Sequence, residues 1–269
     1  MKDSSEYAPR LKKLYSRLKR AAGAPPPPDL IDPTTALILA VLSQHTTENK
    51  ARLAHGRLKQ NFVDYNELRV SRAEELYDVL GKAYPQGREV ARQLIGLLKQ
   101  VYNELDTLDL QVLSEGSKRQ AKAFLESLED ADAYVVARVM MMAIGAHAFP
   151  VNKQLLTLLR KEEVVTPDAD PAEIQGFLER NISAHQLRKY YTLLRQHADN
   201  FRGSRTSAKK KDAAKTKKKT KKKTKKKTTK RKTKRKTSRS GDPPPTPSEP
   251  SANHKKTGGI ASPVIILQP

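Results

Sequence analysis

The sequence predicts an all-α fold for residues 1–202, followed by a disordered basic tail over residues 203–269. Helical spacing of apolar residues and helix-end signals recur through the first part, and no stretch alternates over strand length. The distribution of charge separates the same two parts of the chain. The body carries 29 basic and 26 acidic residues, whereas the tail carries 23 basic residues against three acidic ones. The body therefore reads as a nearly neutral globular segment, long enough for one sizeable core or two small lobes.

The body is predicted to contain about ten helices. The first, basic and amphipathic, covers residues 9–22 and ends at Gly23 and a run of four prolines. Asp32 followed by Pro33 predicts the start of the next helix, and Ser71 with Glu74 predicts a capping box. An apolar helix that includes Met140–Met142 is interrupted only by Arg138. This apolar helix is predicted over residues 133–145, and the remaining helices over residues 48–60, 88–105, 117–128, 152–161, 171–181 and 183–201.

The tail contains a tetrapeptide repeat of threonine and three lysines, followed by two Lys-Arg-Lys triplets. Such a segment cannot bury apolar area and repels itself, so we expect disorder. A flexible polycation binds phosphates by releasing counterions and reads no bases, which predicts sequence-independent binding to double-stranded DNA. Nuclear localisation and contact with an anionic membrane surface are the alternatives. The expected phosphate contacts are Lys217, Lys218, Lys219, Lys221, Lys222, Lys223, Lys225, Lys226, Lys227, Lys230, Arg231, Lys232, Lys234, Arg235 and Lys236.

The composition excludes several classes of function. The chain has no cysteine, which rules out disulfides, thiolate zinc sites and a Cys-ligated iron–sulfur cluster, and we expect no cofactor. The six histidines show no metal-ligand spacing, so no metal site is expected. No apolar run is long enough to cross a bilayer, and no secretory signal is visible. We expect a monomer in the cytoplasm with the nucleoid, or in the nucleus of a eukaryotic cell.

Two segments carry a resemblance to a known family. Residues 39–47 read LAVLSQHTT, and residues 128–137 read LEDADAYVVA, followed by a glycine at 145 and PVNKQ over 150–154. Their order and spacing are similar to those of the endonuclease III-like, helix-hairpin-helix (HhH-GPD) superfamily of DNA glycosylases. The resemblance implies two helical lobes with DNA bound across the cleft between them. One lobe would cover residues 29–145 and the other residues 146–202, packed with the N-terminal helix and Pro-rich linker over 1–28.

The resemblance also implies which residues meet DNA. Gln44 matches the family residue that enters the duplex where a base has been flipped out. His45, Thr46 and Lys153 are expected beside it. Asp130 and Asp132 stand where the family has the hairpin glycines that approach a phosphate, and a side chain there resists the positive φ that glycine allows.

The two family positions that carry the chemistry are altered. Tyr134 stands in place of the lysine that forms a Schiff base, and a phenol cannot make an imine. Asn152 stands in place of the essential aspartate, and an amide supplies neither a base nor negative charge. We therefore expect excision activity to be lost or weakened. A divergent active glycosylase, using Glu48 or Asp132 instead, and a linker-histone-like DNA compactor with a helical interaction module are the alternatives.

Overall fold

The computed structural model describes residues 4–23, 26 and 28–201, and these residues are helical without any strand. The predicted all-α fold is confirmed. The predicted tail lies outside the described residues. The helices are α1 Ser4–Ala22, α2 Pro33–Ser43, α3 Glu48–Asn61, α4 Tyr65–Val70, α5 Ala73–Leu80, α6 Gly87–Leu105, α7 Val112–Glu115, α8 Lys118–Ser127, α9 Ala133–Met142, α10 Lys153–Lys161 and α11 Pro171–Asn181. Residues 184–201 are also helical and are called α12.

Side-chain caps set where most of these helices begin. A capping side chain accepts a hydrogen bond from a backbone N–H of the first turn, which would otherwise have no partner inside the helix. Asp32 does so for α2 as predicted, with Pro33 as the first helical residue. The other side-chain caps are Thr47 for α3, Asp64 for α4, Ser117 for α8, Asp132 for α9, Asn152 for α10 and Asp170 for α11.

The predicted helix ends at Ser71 and Gly145 are wrong, and two short helices were not predicted. Ser71 does not cap α5: its hydroxyl donates to the carbonyl of Leu68, so it closes α4, and α5 begins after Arg72 without a side-chain cap. The short helices α4 and α7 were not predicted, because single turns carry too little periodicity to be recognised. The predicted helix over residues 133–145 ends earlier, at Met142, and Gly145 lies in the following turn with φ 63°.

Two buried apolar clusters hold the body together. The first is built from α2 to α9, from Ala36 to Ala143. The second joins α1 to α10, α11 and α12. Helix α9 belongs to both, because Met140 packs in the first cluster while Met141 and Met142 pack in the second. The expected packing role of these methionines is confirmed. The lobe boundaries at residues 28, 145 and 202 stay a prediction.

No helix within the described ranges is long and apolar enough to cross a membrane.

Candidate nucleic-acid interface

The turn between α2 and α3, residues 43–47, is held through its carbonyl groups by side chains from α10 and α12. From α12, the guanidinium of Arg195 donates to the carbonyls of Ser43, at 3.0 Å, and Thr46. From the start of α10, the Asn152 amide donates to the carbonyl of Gln44 at 3.3 Å. These three bonds come from helices that pack in the second cluster, whereas α2 and α3 pack in the first. The position of this turn therefore depends on both clusters.

Gln44 projects from this turn and is half-buried. Its amide nitrogen donates to a carboxylate oxygen of Asp132, while its side-chain oxygen is buried and has no partner among the described residues. An unpaired buried acceptor is unfavourable, so Gln44 is not fully satisfied in this position. To enter a duplex, it would first have to leave Asp132.

The hairpin before α9, which contains Asp130 and Asp132, does not adopt the positive-φ conformation that glycines would permit. Asp132 has φ −70° and ψ 168°, and its carboxylate caps α9 by accepting from Val135 N–H at 2.9 Å. Asp130 is not among the positive-φ residues either. The expected strain at these two positions is therefore absent, because the backbone avoids the left-handed region.

Two glutamine side chains of helix α6 bind the same hairpin. Gln93 donates to the Asp130 carbonyl at 2.8 Å, and Gln100 donates to its carboxylate at 3.2 Å. The carboxylate lies so close to Gly96 that a methyl group there would overlap it. Asp130 is thus turned toward α6, and only Asp132 of the two hairpin carboxylates is exposed beside Gln44.

The exposed carboxylate of Asp132 predicts that Asp132→Asn tightens DNA binding. Asparagine caps helices as well as aspartate does, so α9 should keep its start, while a negative charge beside the expected phosphate is removed. We expect the affinity for a plain duplex to rise about threefold at low salt, roughly 0.6 kcal/mol, measured by fluorescence anisotropy. Asp64→Asn is the matched control, because Asp64 is an exposed cap of α4 remote from the turn, and its affinity should not change.

The other residues predicted to meet DNA lie in different environments. Lys153 is exposed at the first position of α10, and His45 is half-buried near it. Burial lowers the pKa of His45, and the charge of Lys153 lowers it further against the opposite effects of Asp132 and Glu89. The neutral form of His45 is therefore favoured more than in an ordinary histidine. Thr46 is buried, only 2% exposed, so its side chain is not available to DNA in this conformation.

Tyr134, which the resemblance places at the family's lysine position, lies inside the junction of the two clusters. It is 5% exposed, and its hydroxyl lies 3.0 Å from the Ser43 hydroxyl and 3.4 Å from that of Tyr191. Arg138 and Arg195 donate to the same oxygen at 3.4 and 3.3 Å. The phenol therefore serves as a hydrogen-bonding centre that links α2, α9 and α12.

Asn152, which the resemblance places at the family's aspartate position, is also 5% exposed, and its side chain makes hydrogen bonds through both polar atoms. Its side-chain oxygen caps α10 by accepting from Leu155 N–H at 3.0 Å. Its nitrogen donates to the carbonyl of Gln44 and to the side-chain oxygen of Gln154, at 2.6 Å. A carboxylate in this position could not donate either bond, so the amide fits the surroundings better than the family's aspartate would.

A buried network of charged side chains continues from Tyr134 through the junction. Arg138, 2% exposed, donates to Glu48 at 2.7 Å and to the Tyr191 hydroxyl at 2.6 Å. Asp199 lies 3.0 Å from the guanidinium of Arg195 and accepts from the backbone N–H of Glu48 at 2.8 Å. The ion pair of Arg138 with Glu48 therefore joins α9 to α3. Hydrogen bonds from Arg138 to Tyr191 and from Glu48 N–H to Asp199 join both helices to α12.

The two carboxyl groups of this network differ in their pKa. Burial raises the pKa of Glu48, but the charge and hydrogen bond of Arg138, with the charges of Arg195 and Arg52, bring it below its ordinary value. Burial also raises the pKa of Asp199, and the charge of Arg195 and the Glu48 N–H do not offset that effect, so its pKa lies above the ordinary value. Glu48 is firmly ionised, whereas Asp199 takes a proton more readily.

Both carboxyl groups line an open pocket of about 520 Å³ at the junction. Arg52 and Met142 contribute to its walls, and one oxygen of Glu48 is buried without a hydrogen-bond partner among the described residues. Neither Tyr134 nor Asn152 lines it. Sequence reasoning missed Asp199, Arg195 and this pocket. Within the described part of the chain, no group of three or more histidine, aspartate and glutamate side chains is arranged to hold a metal ion.

No protein-family model matches the sequence, and no curated protein sequence matches it. Solved structures do share its arrangement of helices. A non-covalent endonuclease III–DNA complex is 15% identical, over 70% of this chain and 84% of that chain, with a TM-score of 0.56. The Clostridium acetobutylicum 8-oxoguanine glycosylase/lyase bound to DNA is 14% identical, over 74% and 71%, with a TM-score of 0.56. The H. pylori 3-methyladenine DNA glycosylase bound to 1,N6-ethenoadenine is 19% identical, over 71% and 95%, with a TM-score of 0.53.

At sequence identities of 14–19%, the similarity to these structures establishes a shared fold alone. The chain has the fold of the HhH-GPD DNA glycosylase superfamily, which confirms the fold implied by the two sequence segments.

Proposed function

We propose that this chain binds duplex DNA and recognises distorted or damaged sites, with Gln44 as the probe of a gap in the base stack and without excision chemistry at the family's positions. The observation that carries the proposal is the use of Tyr134 and Asn152. Both are buried, and both are committed to bonds that hold the turn bearing Gln44. Residues that would perform chemistry in the family therefore serve here to position the probe.

Two further features support this function. Solved structures with this fold include complexes with DNA, among them the endonuclease III complex. The tail, through its 23 basic residues, would supply affinity for any duplex. Selectivity would then come from the turn, because opening a base stack costs least where a base pair is damaged or mismatched.

A second candidate function is that of a divergent DNA glycosylase, and the pocket at the junction is the observation that favours it. Asp199 lines this pocket, and burial raises its pKa above the ordinary value, a feature that carboxyl groups at catalytic sites often share. Its ion pair with Arg195 and its bond from Glu48 N–H give it a structural role as well. Glu48 is a weaker candidate, since its pair with Arg138 keeps it ionised.

A base-release assay separates the two functions. The full chain is incubated with duplexes carrying oxidised, alkylated, deaminated or mismatched bases, and released base is measured. We expect no release above that of the duplex alone. Release that disappears in Asn152→Ser, which keeps a capping side chain, would contradict the loss of chemistry at the family position. Release that disappears in Asp199→Asn would favour the second candidate.

The probe function predicts a loss of selectivity in Gln44→Ala. The full chain should bind a duplex with an abasic or mismatched site about tenfold more tightly than a plain duplex, since roughly 1.4 kcal/mol of unstacking is avoided. The variant should bring this ratio close to one without changing the affinity for plain duplex. The measurement is competition between the two duplexes at one salt concentration. A natural chain without any preference would favour a linker-histone-like compactor instead.

A further inference from the structure

Helix α1 presents a strongly basic surface that the proposed function of the turn does not use. The helix carries six basic residues and one acidic residue, Glu6. Four of the six are defined here as the α1 basic face: Lys12, Lys13, Lys19 and Arg20. All four are exposed.

The opposite side of α1 is fixed against the second cluster. Leu11, Leu14 and Leu18 are 1%, 4% and 5% exposed, and Tyr15 stacks on Tyr190 of α12 at 3.5 Å between ring centroids. With 100° of rotation for each residue, the α1 basic face covers about a third of the helix circumference, directly opposite these leucines. The four cations therefore point into solvent from a rigid support.

The neighbouring arginines are already paired, but the α1 basic face is not. Arg17 pairs with Glu162 at 2.5 Å, and Arg10 pairs with Glu6 and donates to the carbonyl of Glu163. Among residues 4–23, 26 and 28–201, no carboxylate lies within ion-pair distance of the four cations of the face. An unneutralised cluster of this kind attracts a polyanion.

We propose that the α1 basic face is a second contact for the phosphate backbone of double-stranded DNA, separate from the turn that bears Gln44. The pairs Lys12–Lys13 and Lys19–Arg20 are seven residues apart, about 10 Å along the helix, a length over which a duplex carries roughly six phosphate charges. Arg17 contacts Glu162 at the end of α10, about 15 Å along that helix from Asn152 at its start.

The structure favours DNA over a membrane as the partner. A basic amphipathic helix binds lipid by inserting its apolar side, and here that side is buried in the second cluster. The aromatic ring nearest the face, Tyr15, is occupied by its stack on Tyr190, so no base stacking is expected. The contact would therefore be electrostatic and independent of sequence. This inference rests on the proposed function only in taking DNA as the ligand.

The test neutralises the α1 basic face in the full chain with Lys12→Gln, Lys13→Gln, Lys19→Gln and Arg20→Gln together. Binding to a short plain duplex is measured over a series of KCl concentrations. We expect the slope of log affinity against log salt to become shallower by about 3 to 4, with roughly tenfold weaker binding. The matched control removes the same number of charges from exposed, unpaired cations in the part of the chain that forms the first cluster. Its substitutions are Lys59→Gln, Lys82→Gln, Lys99→Gln and Arg119→Gln.

The possible results distinguish a DNA contact at the α1 basic face from a general effect of removing four positive charges. They also distinguish it from the proposed role of Gln44. Equal losses in the two variants, or an unchanged slope in the α1 variant, would overturn the proposal. Loss of binding to phosphatidylserine vesicles with unchanged DNA binding would assign the surface to a membrane and also overturn it. The preference for an abasic duplex over a plain one should be the same in the α1 variant as in the natural chain. Absence of that preference in the natural chain counts against the probe, not against the α1 basic face.

Discussion

Arg138→Met should destabilise the body by about 3 kcal/mol, because it leaves a buried carboxylate without its partner. Arg138 is 2% exposed and binds Glu48 at 2.7 Å, and its second nitrogen binds the Tyr191 hydroxyl at 2.6 Å. Breaking a buried ion pair from one side costs far more than the pair contributes, since the remaining charge keeps its desolvation cost. The free energy of unfolding is measured by urea denaturation.

Arg52→Met is the matched control for this prediction. Arg52 lies near the same oxygen of Glu48, at 3.7 Å, but its side chain is 67% exposed. We expect a change below about 0.5 kcal/mol there, as for exposed pairs in general. The double variant with Arg138→Met and Glu48→Met should regain part of the loss. If Arg138→Met cost no more than Arg52→Met, the network would not join the clusters as described.

The pH dependence of this loss provides a second check. The folded pKa of Glu48 is lowered, so the pair stabilises the fold above the unfolded pKa, about 4.3, and this stabilisation is lost as pH falls through the folded value. Arg138→Met removes that contribution. Protonation then relieves the buried charge, so the difference between the natural chain and the variant should shrink in acid.

Local signals made the helices and the turn predictable from sequence. Asp32 with Pro33 marks the start of α2 through bonds that span three residues, and a cap of this kind can be read directly from neighbouring letters. Gln44 was found through the family resemblance of a short segment at the end of a helix. Ser71 with Glu74 has the same kind of pattern but failed, since Ser71 instead closes α4.

The charged network could not be predicted in the same way. Glu48 and Arg138 are 90 residues apart, and Arg195 binds carbonyls about 150 residues away, so no local spacing relates them. One signal was present: Arg138 interrupts an otherwise apolar helix, and a buried charge requires a partner. The sequence identifies the first member of such a pair, whereas the partner emerges only from the packing of α9 against α3 and α12.

The hairpin illustrates the opposite case, in which a substitution was recognised and its consequence was wrong. Two aspartates at glycine positions suggested backbone strain. The structure accommodates them by other means, with Asp130 bound to α6 and Asp132 used as a cap. A glycine position can be read from sequence, but the path that the backbone takes without glycine depends on neighbours such as Gln93 and Gln100.

The largest effect on DNA binding is expected from the tail. Replacing the nine lysines of its tetrapeptide repeat with glutamine should make the slope of log affinity against log salt shallower by up to about 8, since each phosphate contact contributes roughly 0.9. The natural chain should lose on the order of a thousandfold or more in affinity between about 50 and 200 mM salt, and the variant much less. The replaced residues are Lys217, Lys218, Lys219, Lys221, Lys222, Lys223, Lys225, Lys226 and Lys227.

A variant with a scrambled tail sequence shows whether the salt dependence comes from the charge of the tail or from the order of its residues. Counterion release depends on how many phosphates are neutralised, so a chain with residues 205–239 in scrambled order should keep the natural slope. The preference for a damaged duplex should survive in the glutamine variant, measured at lower salt, because that preference is assigned to Gln44 in the folded body. A glutamine variant that kept the natural slope would move the main phosphate contact from the tail to the body, where the α1 basic face is the strongest candidate.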